Sequence, residues 1–138
     1  MNGVVTADTA VPLNTDEDVV RVRKLVRDQL VALGFSLIDQ TKMVTAASEL
    51  ARNTLRYGGG GRAELALVSK LGRRGLAVSF IDAGPGIADI SLALTDGYTT
   101  GGGMGLGLSG ARRLADEFDL QSSPGNGTTV TITKWKPF

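Results

Sequence analysis

A carboxylate and an amide lie four residues apart in the segment AASELARNTLRYG, at Glu49 and Asn53. Residues i and i+4 of a helix share one face, so the two side chains can meet at one ligand. Their oxygen atoms are hard donors, which suit Mg²⁺ or the orientation of a hydroxyl group. A solvated polar helix face explains the pair at least as well when the pair is taken alone.

A second acidic residue, Asp82, ends the apolar run from Leu76 to Ile81 and opens the turn DAGPG. A carboxylate at this place is partly buried and must find hydrogen-bond donors. The exocyclic amine of a nucleotide base is one such donor, and Gly84 and Gly86 would let the backbone approach a flat ligand. A turn that simply begins with Asp is common and remains the simpler interpretation of this motif alone.

Glycine is over-represented, at 19 of 138 residues, and five glycines fall between positions 101 and 107. They precede a predicted helix, so that consecutive backbone N–H groups and the helix dipole could bind an anion. The segment is neither a Walker loop nor a Rossmann fingerprint, because no Gly-Lys-Ser/Thr is present. A phosphate-binding loop and a flexible linker both remain open.

A last glycine motif, Gly125-Asn126-Gly127-Thr128, combines a tight turn with a hydroxyl group at the start of a strand. On its own it is an ordinary hairpin turn. It gains meaning only from its place after the three preceding motifs.

Hydrophobic periodicity predicts the elements that must position these motifs. The order β-α-α-β-β-α-β-β predicts an α+β fold with helices on one face of a mixed, mostly antiparallel sheet. Thr15 and Ser36 are predicted helix N-caps and Gly34 a helix C-cap. The predicted elements are a strand over 4–13, helices over 15–34 and 36–57, a hairpin over 62–81 turning at 72–75, a helix over 106–118, and strands over 120–123 and 128–135.

Two absences from the composition exclude whole chemistries. The chain has no Cys, which excludes disulfides and thiolate nucleophiles. It also has no His, which excludes a Ser-His-Asp triad, a His-ligated metal and a phosphohistidine intermediate. A general base in this chain must therefore be Asp, Glu, Lys or Tyr.

Size, charge and hydropathy narrow the class further. The 138 residues fit one domain of roughly 100–150 residues, predicted to span positions 1–138. A net charge of +1 without a clustered basic surface argues against a nucleic-acid partner. No apolar run approaches the roughly 20 residues that cross a bilayer, and no signal peptide is evident, so we expect a cytoplasmic protein without a membrane partner.

Taken together, the motifs E-x-x-x-N, D-x-G-x-G-I, G-x-G-x-G-L and G-x-G-T are far more specific than any one of them. In order and spacing they resemble the N, G1, G2 and G3 boxes of the Bergerat (GHKL) ATPases. That superfamily includes gyrase, the heat-shock ninety chaperones, MutL, sensor histidine kinases and bacterial anti-sigma-factor kinases. Residues 48–57, 82–118 and 133–136 further resemble the switch-protein kinases (RsbT type) of bacterial stress-signalling modules.

This resemblance implies a two-layer α/β sandwich that binds Mg-ATP. Glu49 would be the general base and Asn53 the Mg²⁺ ligand. Asp82 would accept from the adenine amino group, with Gly84 and Gly86 against the base and Thr128 supporting Asp82 through water. The phosphate-contacting amides would be those of Gly103, Gly105, Leu106 and Gly107.

The resemblance also implies an activity and partners. The expected activity is ATP-dependent phosphorylation of Ser or Thr on a small STAS-domain protein, after which the kinase is released to activate a PP2C-type phosphatase. The alternative is an anti-sigma factor whose ATP only shapes a docking surface. Autophosphorylation on histidine is excluded within the chain.

One feature departs from the larger members of the superfamily. No Lys or Arg lies between Ile87 and Gly103, so this segment brings no cation to the γ-phosphate. Mg²⁺ and backbone amides must then carry the charge, or Arg52 or Arg56 must turn inward. Slow turnover is expected, because phosphoryl transfer depends on such charge stabilisation.

Overall fold

A computed structural model describes residues 4–87, 89, 94 and 104–137. Its strands form one sheet in the order β1-β2-β3-β5-β4, and all four strand pairs within the described residues are antiparallel. The predicted α+β fold is confirmed. The elements are β1 (Val4–Leu13), α1 (Asp16–Ala32), α2 (Leu37–Arg56), β2 (Gly61–Lys70), β3 (Arg73–Asp82), α3 (Met104–Leu114), β4 (Glu117–Ser122) and β5 (Thr128–Trp135).

One face of the sheet supplies half of the core. Alternate residues of β3 and β5 are fully buried there, among them Val78, Phe80 and Ile132, because successive side chains of a strand point to opposite faces. The helices bury their apolar stripes against this face, and α2 packs against both α1 and α3. The last turn of α2 and the first turn of α3 belong to two of the four segments that carry the predicted nucleotide motifs.

Helix α1 begins and ends at the predicted caps. Thr15 and Asp18 form a reciprocal capping box, in which each side chain accepts from the backbone N–H of the other. At the other end Gly34 has a φ of 81°, and the N–H of Phe35 donates to the Leu30 carbonyl. This bond and the positive φ of Gly34 are those of a Schellman motif, which satisfies carbonyl groups that have no partner within the helix.

Helix α2 is the long element of the site. Ser36 caps it through a hydrogen bond from the Asp39 N–H, as predicted. Its apolar stripe is buried: Met43, Ala46, Ala47, Leu50 and Thr54 are each at most 3% exposed. A stripe of this kind fixes the rotation of the helix and therefore the direction in which its polar residues face.

The β2–β3 hairpin turns two residues earlier than predicted. Lys70 pairs with Arg73, so the turn consists of Leu71 and Gly72 and not of residues 72–75. Both turn residues have positive φ, at 52° and 79°. A two-residue turn of this type matches the twist of the strands, which outweighs the cost of a left-handed leucine.

The end of α3 also differs from the prediction. The helix ends at Leu114, and Phe118, predicted as its last residue, lies in β4 opposite Ile132. Leu114 and Phe118 have helical spacing, but Phe118 and Leu120 have the alternation of a strand. Because Phe118 pairs with Ile132 of β5, this segment forms a strand and does not continue the helix.

A buried lysine joins three elements at the end of α2 that lies away from Asn53. Lys134 of β5 is 6% exposed, and its Nζ lies 3.3 Å from both the Leu114 carbonyl and Asp116 Oδ1. It also lies 3.7 Å from Asp39 in the first turn of α2. A buried cation needs such partners. The arrangement holds α2 and α3 in fixed positions on the sheet.

Candidate nucleotide-binding site

A cavity of about 170 Å³ opens between α2 and the ends of β3 and β5. Its walls are apolar and include Leu50, Phe80 and Val130, with Leu108 from α3. A few polar groups interrupt them, which is the composition of small-molecule sites. Four predicted site residues line this one cavity: Asn53, Asp82, Gly86 and Thr128.

Asn53 reaches the cavity from the last turn of α2. Its Nδ2 atom is buried and has no hydrogen-bond partner among the described residues. A buried amide without a partner costs folding free energy, so such groups are rare unless a ligand satisfies them. The side chain is therefore held ready for a polar ligand that enters the cavity.

Asp82 is the last residue of β3, and one of its two carboxylate oxygens accepts a hydrogen bond from the turn that follows. Its Oδ1 accepts from the N–H of Gly84 at 2.9 Å, which leaves acceptor capacity on the carboxylate. The backbone of Gly58 packs against the same carboxyl group, and a Cβ built there would lie 2.6 Å from Oδ2. Glycine is required at position 58 because any side chain would displace the carboxylate.

The turn after Asp82 also requires glycine, because side chains at two of its positions would clash with neighbouring backbone. Gly86 has a φ of 78°, and a Cβ there would overlap the Ser123 carbonyl. A Cβ on Gly84 would lie 2.8 Å from Gly58 Cα. These glycines permit close approach of the chain's own backbone, and their approach to a flat ligand stays a prediction.

Thr128 is the cross-strand neighbour of Asp82 in the β3–β5 register. Its hydroxyl lies 2.8 Å from the Ser122 hydroxyl, which also accepts from the Ile87 N–H and contacts the Gly127 carbonyl at 3.0 Å. Ser122 thus joins the G1 turn to the G3 turn. Sequence analysis missed it, since a lone serine in a strand gives no signal.

Glu49 does not line this cavity. It lies one helical turn before Asn53 and pairs with Arg52, whose Nη1 is 2.8 Å from Glu49 Oε1. Both side chains are partly exposed, at 45% and 39%. They line a neighbouring cavity between α1 and α2. The predicted base therefore lines a different cavity from the one that Asn53 and Asp82 line.

The glycine-rich segment is helical earlier than predicted. Helix α3 begins at Met104, two residues before the predicted start at Leu106, so Gly105, Leu106 and Gly107 all lie in its first turn. The first four N–H groups of a helix have no partner within it and can bind an anion. Gly103 lies outside the described residues.

The described residues hold no group of three or more His, Cys, Asp or Glu side chains that could cage a metal ion. The donors here fit Mg²⁺ only as an ion carried largely by phosphate oxygens and water, which is its usual mode of binding. The described helices are also too short or too polar to cross a membrane.

Comparison with known proteins places the chain in a family. The profile of the histidine kinase-, DNA gyrase B- and HSP90-like ATPases matches residues 38–137. The serine/threonine-protein kinase RsbT of Bacillus subtilis (strain 168) is 43% identical over 127 residues, which cover 92% of this chain and 96% of that protein. An anti-sigma F factor of Thermoanaerobacter sp. (strain X514) is 30% identical over 95 residues, 66% of each chain.

The fold is also similar to that of a solved structure. The RsbU and RsbW domains of Rv1364c from Mycobacterium tuberculosis match with a TM-score of 0.62 at 23% identity, over 96% of this chain and 34% of that one. At this identity the match supports the fold alone.

The chain belongs to the family of histidine kinase-, DNA gyrase B- and HSP90-like ATPases. It is a homologue of RsbT and, at lower identity, of anti-sigma F factors. The predicted Bergerat family, the predicted use of ATP and the predicted enzyme class, a serine/threonine protein kinase, are confirmed.

Proposed function

We propose that this kinase is one domain over residues 1–138 that transfers the γ-phosphoryl group of Mg-ATP to a Ser or Thr of a small STAS-domain protein. One observation carries the proposal. The unpartnered amide of Asn53 and the half-satisfied carboxylate of Asp82 line one cavity, and Glu49 lies one helical turn from Asn53.

The base end of the nucleotide occupies the described cavity. A volume of about 170 Å³ is below the roughly 300–1,000 Å³ of pockets that enclose a drug-sized ligand, so it suits the base alone. The free acceptor capacity of Asp82 meets the adenine amino group. The phosphates then extend toward the first turn of α3, where Gly105, Leu106 and Gly107 present their N–H groups.

Asn53 would hold Mg²⁺, with Asn53 Oδ1 as the protein oxygen and Nδ2 left to a phosphate or water oxygen. The ion would neutralise charge on the phosphate oxygens. Every other contribution comes from the chain itself. The apolar walls exclude water, Asp82 orients the base and the α3 amides orient the phosphates.

Transfer requires a base beside the acceptor hydroxyl, and we assign this role to Glu49. The hydroxyl oxygen forms a bond to the γ-phosphorus while the bond from that phosphorus to the β–γ bridging oxygen breaks. The hydroxyl proton passes to the Glu49 carboxylate, and ADP leaves with the bonding electron pair. Arg52 must release Glu49 at least partly for this step.

The relatives support the proposed partners. RsbT is named as a kinase, and phosphorylation of the STAS-domain partner would end its complex with this chain. The released kinase would then activate a PP2C-type phosphatase. The second candidate function is a nucleotide-gated anti-sigma factor without essential transfer, which the anti-sigma F relatives favour.

The test is to incubate the purified chain with γ-labelled ATP, Mg²⁺ and each STAS-domain protein of the same organism. We expect label on one Ser or Thr of the partner, located by phosphopeptide mapping. A chain that binds ATP and the partner without labelling it would support the binding module and contradict the kinase mechanism.

A further inference from the structure

A second cavity, of about 190 Å³, lies between α1 and α2. It shares no lining residue with the nucleotide cavity. Three of its residues are charged: Arg23 of α1, and Glu49 and Arg52 of α2. Glu49 is the base of the proposed transfer, so this cavity lies on the side of α2 from which an acceptor would reach it.

The cavity contains a polar group that folding leaves unsatisfied. Ser48 is 6% exposed, and its Oγ has no hydrogen-bond partner among the described residues. A helical serine can usually bond to the carbonyl four residues earlier, as Thr54 does to Leu50 at 3.0 Å. Ser48 makes no such bond, so its hydroxyl keeps its hydrogen-bonding capacity unused.

The charges in this cavity favour an anion. Arg52 is paired with Glu49, but Arg23 makes no ion pair in the described part of the chain. Two guanidinium groups against one carboxylate leave a net positive charge. Guanidinium groups bind phosphate oxygens in a two-point manner.

We propose that the α1–α2 cavity is the acceptor subsite and binds the phosphate monoester of the newly phosphorylated Ser or Thr side chain. Arg23 and Arg52 contact the phosphate oxygens and Ser48 donates its hydroxyl. This rests on the proposed kinase mechanism. Arg52 pairs with Glu49 before transfer and with the phosphate after it, which gives the site a cation that residues 88–103 lack.

The direct test is titration of the ADP-saturated, ¹⁵N-labelled chain with O-phospho-L-serine, followed by amide chemical shifts. ADP fills the nucleotide phosphate site. We expect shifts at Ser48, Glu49 and Arg52, and weaker or absent shifts with L-serine or inorganic phosphate. Arg23→Gln should weaken binding about tenfold, the loss expected for one charge-assisted hydrogen bond.

Matched control variants distinguish binding in this cavity from a general effect of positive charge on the protein. Lys24→Gln removes an exposed cation of α1, and Arg62→Gln breaks an exposed ion pair similar to that of Arg52. Both should bind O-phospho-L-serine like the wild type. Ser48→Ala should weaken binding without lowering the free energy of unfolding, because Ser48 Oγ makes no hydrogen bond within the described part of the chain.

Three results would overturn the subsite: no shift near Ser48, equal affinity for inorganic phosphate, or unchanged affinity in Arg23→Gln. The titration needs no phosphoryl transfer. Its failure therefore leaves the kinase proposal standing, whereas failure of the labelling experiment removes that proposal whatever the titration shows.

Discussion

At the scale of single residues, the proposed nucleotide site places a few polar groups with unused hydrogen-bonding capacity among apolar walls. Asn53 Nδ2 has no partner in the described residues, and Asp82 accepts one backbone N–H within its own turn. Sequence reasoning identified both residues because their types and spacing carry the signal. It could not show that Glu49 lines a different cavity from Asn53, since that depends on how α2 packs against its neighbours.

Base recognition should depend on Asp82. Asp82→Asn replaces an acceptor-only carboxylate with an amide, so ATP affinity should fall about ten- to hundredfold, the loss of a charge-assisted hydrogen bond. GTP, with a carbonyl in place of the amino group, should bind poorly to the wild type. Calorimetry with both nucleotides is the measurement, and Asp28→Asn, an exposed α1 residue, is the control. Equal affinity for ATP and GTP would refute the assignment.

The effect of Mg²⁺ on nucleotide affinity should depend on Asn53. Wild-type affinity for ATP should rise with Mg²⁺, and this rise should largely vanish in Asn53→Ala, which removes the protein oxygen assigned to the metal. Titrations with Mg²⁺ and with EDTA measure the difference. The same Mg²⁺ effect in both proteins would mean that the ion is not held at Asn53.

At the scale of elements, the site depends on where α2, β3 and α3 begin and end. The caps of α1 and α2 were predictable because each is specified by residues within a few positions of each other. The turn at Leu71 and the end of α3 were predicted wrongly because strand pairing decided them. Local patterns are least informative where two periods fit the same residues.

The close approach of Gly58, two residues after the end of α2, to Asp82 of β3 predicts a sharp effect of substitution at Gly58. Gly58→Ala should displace the Asp82 carboxyl group and weaken ATP binding at least tenfold, since a Cβ would lie 2.6 Å from Asp82 Oδ2. Gly110→Ala is the control, because a Cβ there meets nothing within 4 Å. It should raise the free energy of unfolding by about 0.5–1 kcal/mol, the helix preference of Ala over Gly.

Nucleotide affinity and urea denaturation are measured for both Gly58→Ala and Gly110→Ala. Unchanged ATP affinity in Gly58→Ala would show that Asp82 tolerates the added methyl group. The Asp82 assignment would then need revision.

The α1 capping box should make stability depend on pH. The Asn14 backbone N–H, and then Arg21 and Thr15, lower the pKa of Asp18. A lowered folded-state pKa stabilises the fold above the unfolded value of about 3.9, and this contribution is lost as pH falls through the folded value. Asp18→Asn should therefore show a flatter loss of stability in acid than the wild type.

Urea denaturation between pH 7 and acid pH measures the difference between these two proteins. Asp28→Asn, which alters an exposed residue of the same helix, should follow the wild type. Parallel curves for wild type and Asp18→Asn would contradict the pKa direction.

At the scale of the whole molecule, the family and fold were predictable because four motifs recur in a fixed order along one sheet-and-helix framework. The sequence could not show that the nucleotide cavity and the Glu49 cavity open on different stripes of α2. It also gave no sign of Ser122 or of the Lys134 cluster, which link residues far apart in the chain. This separation suggests that nucleotide and acceptor enter from different sides.

The most direct test of the kinase mechanism is Glu49→Gln in complex with the STAS-domain partner. Gln keeps the shape of the side chain and removes its basicity, so ATP and partner should still bind. Transfer should fall by about 10²–10⁴-fold, the usual contribution of a general base, and the complex should persist after ATP is added. Glu64→Gln, which alters the exposed Arg62 pair, should behave like the wild type.

The measurement follows the complex over time by native mass spectrometry, with phosphopeptide mapping of the partner in parallel. The mechanism predicts dissociation together with a phosphorylated Ser or Thr in wild type, and neither in Glu49→Gln. Wild-type dissociation without a phosphorylated residue, or transfer by Glu49→Gln at the wild-type rate, would contradict it.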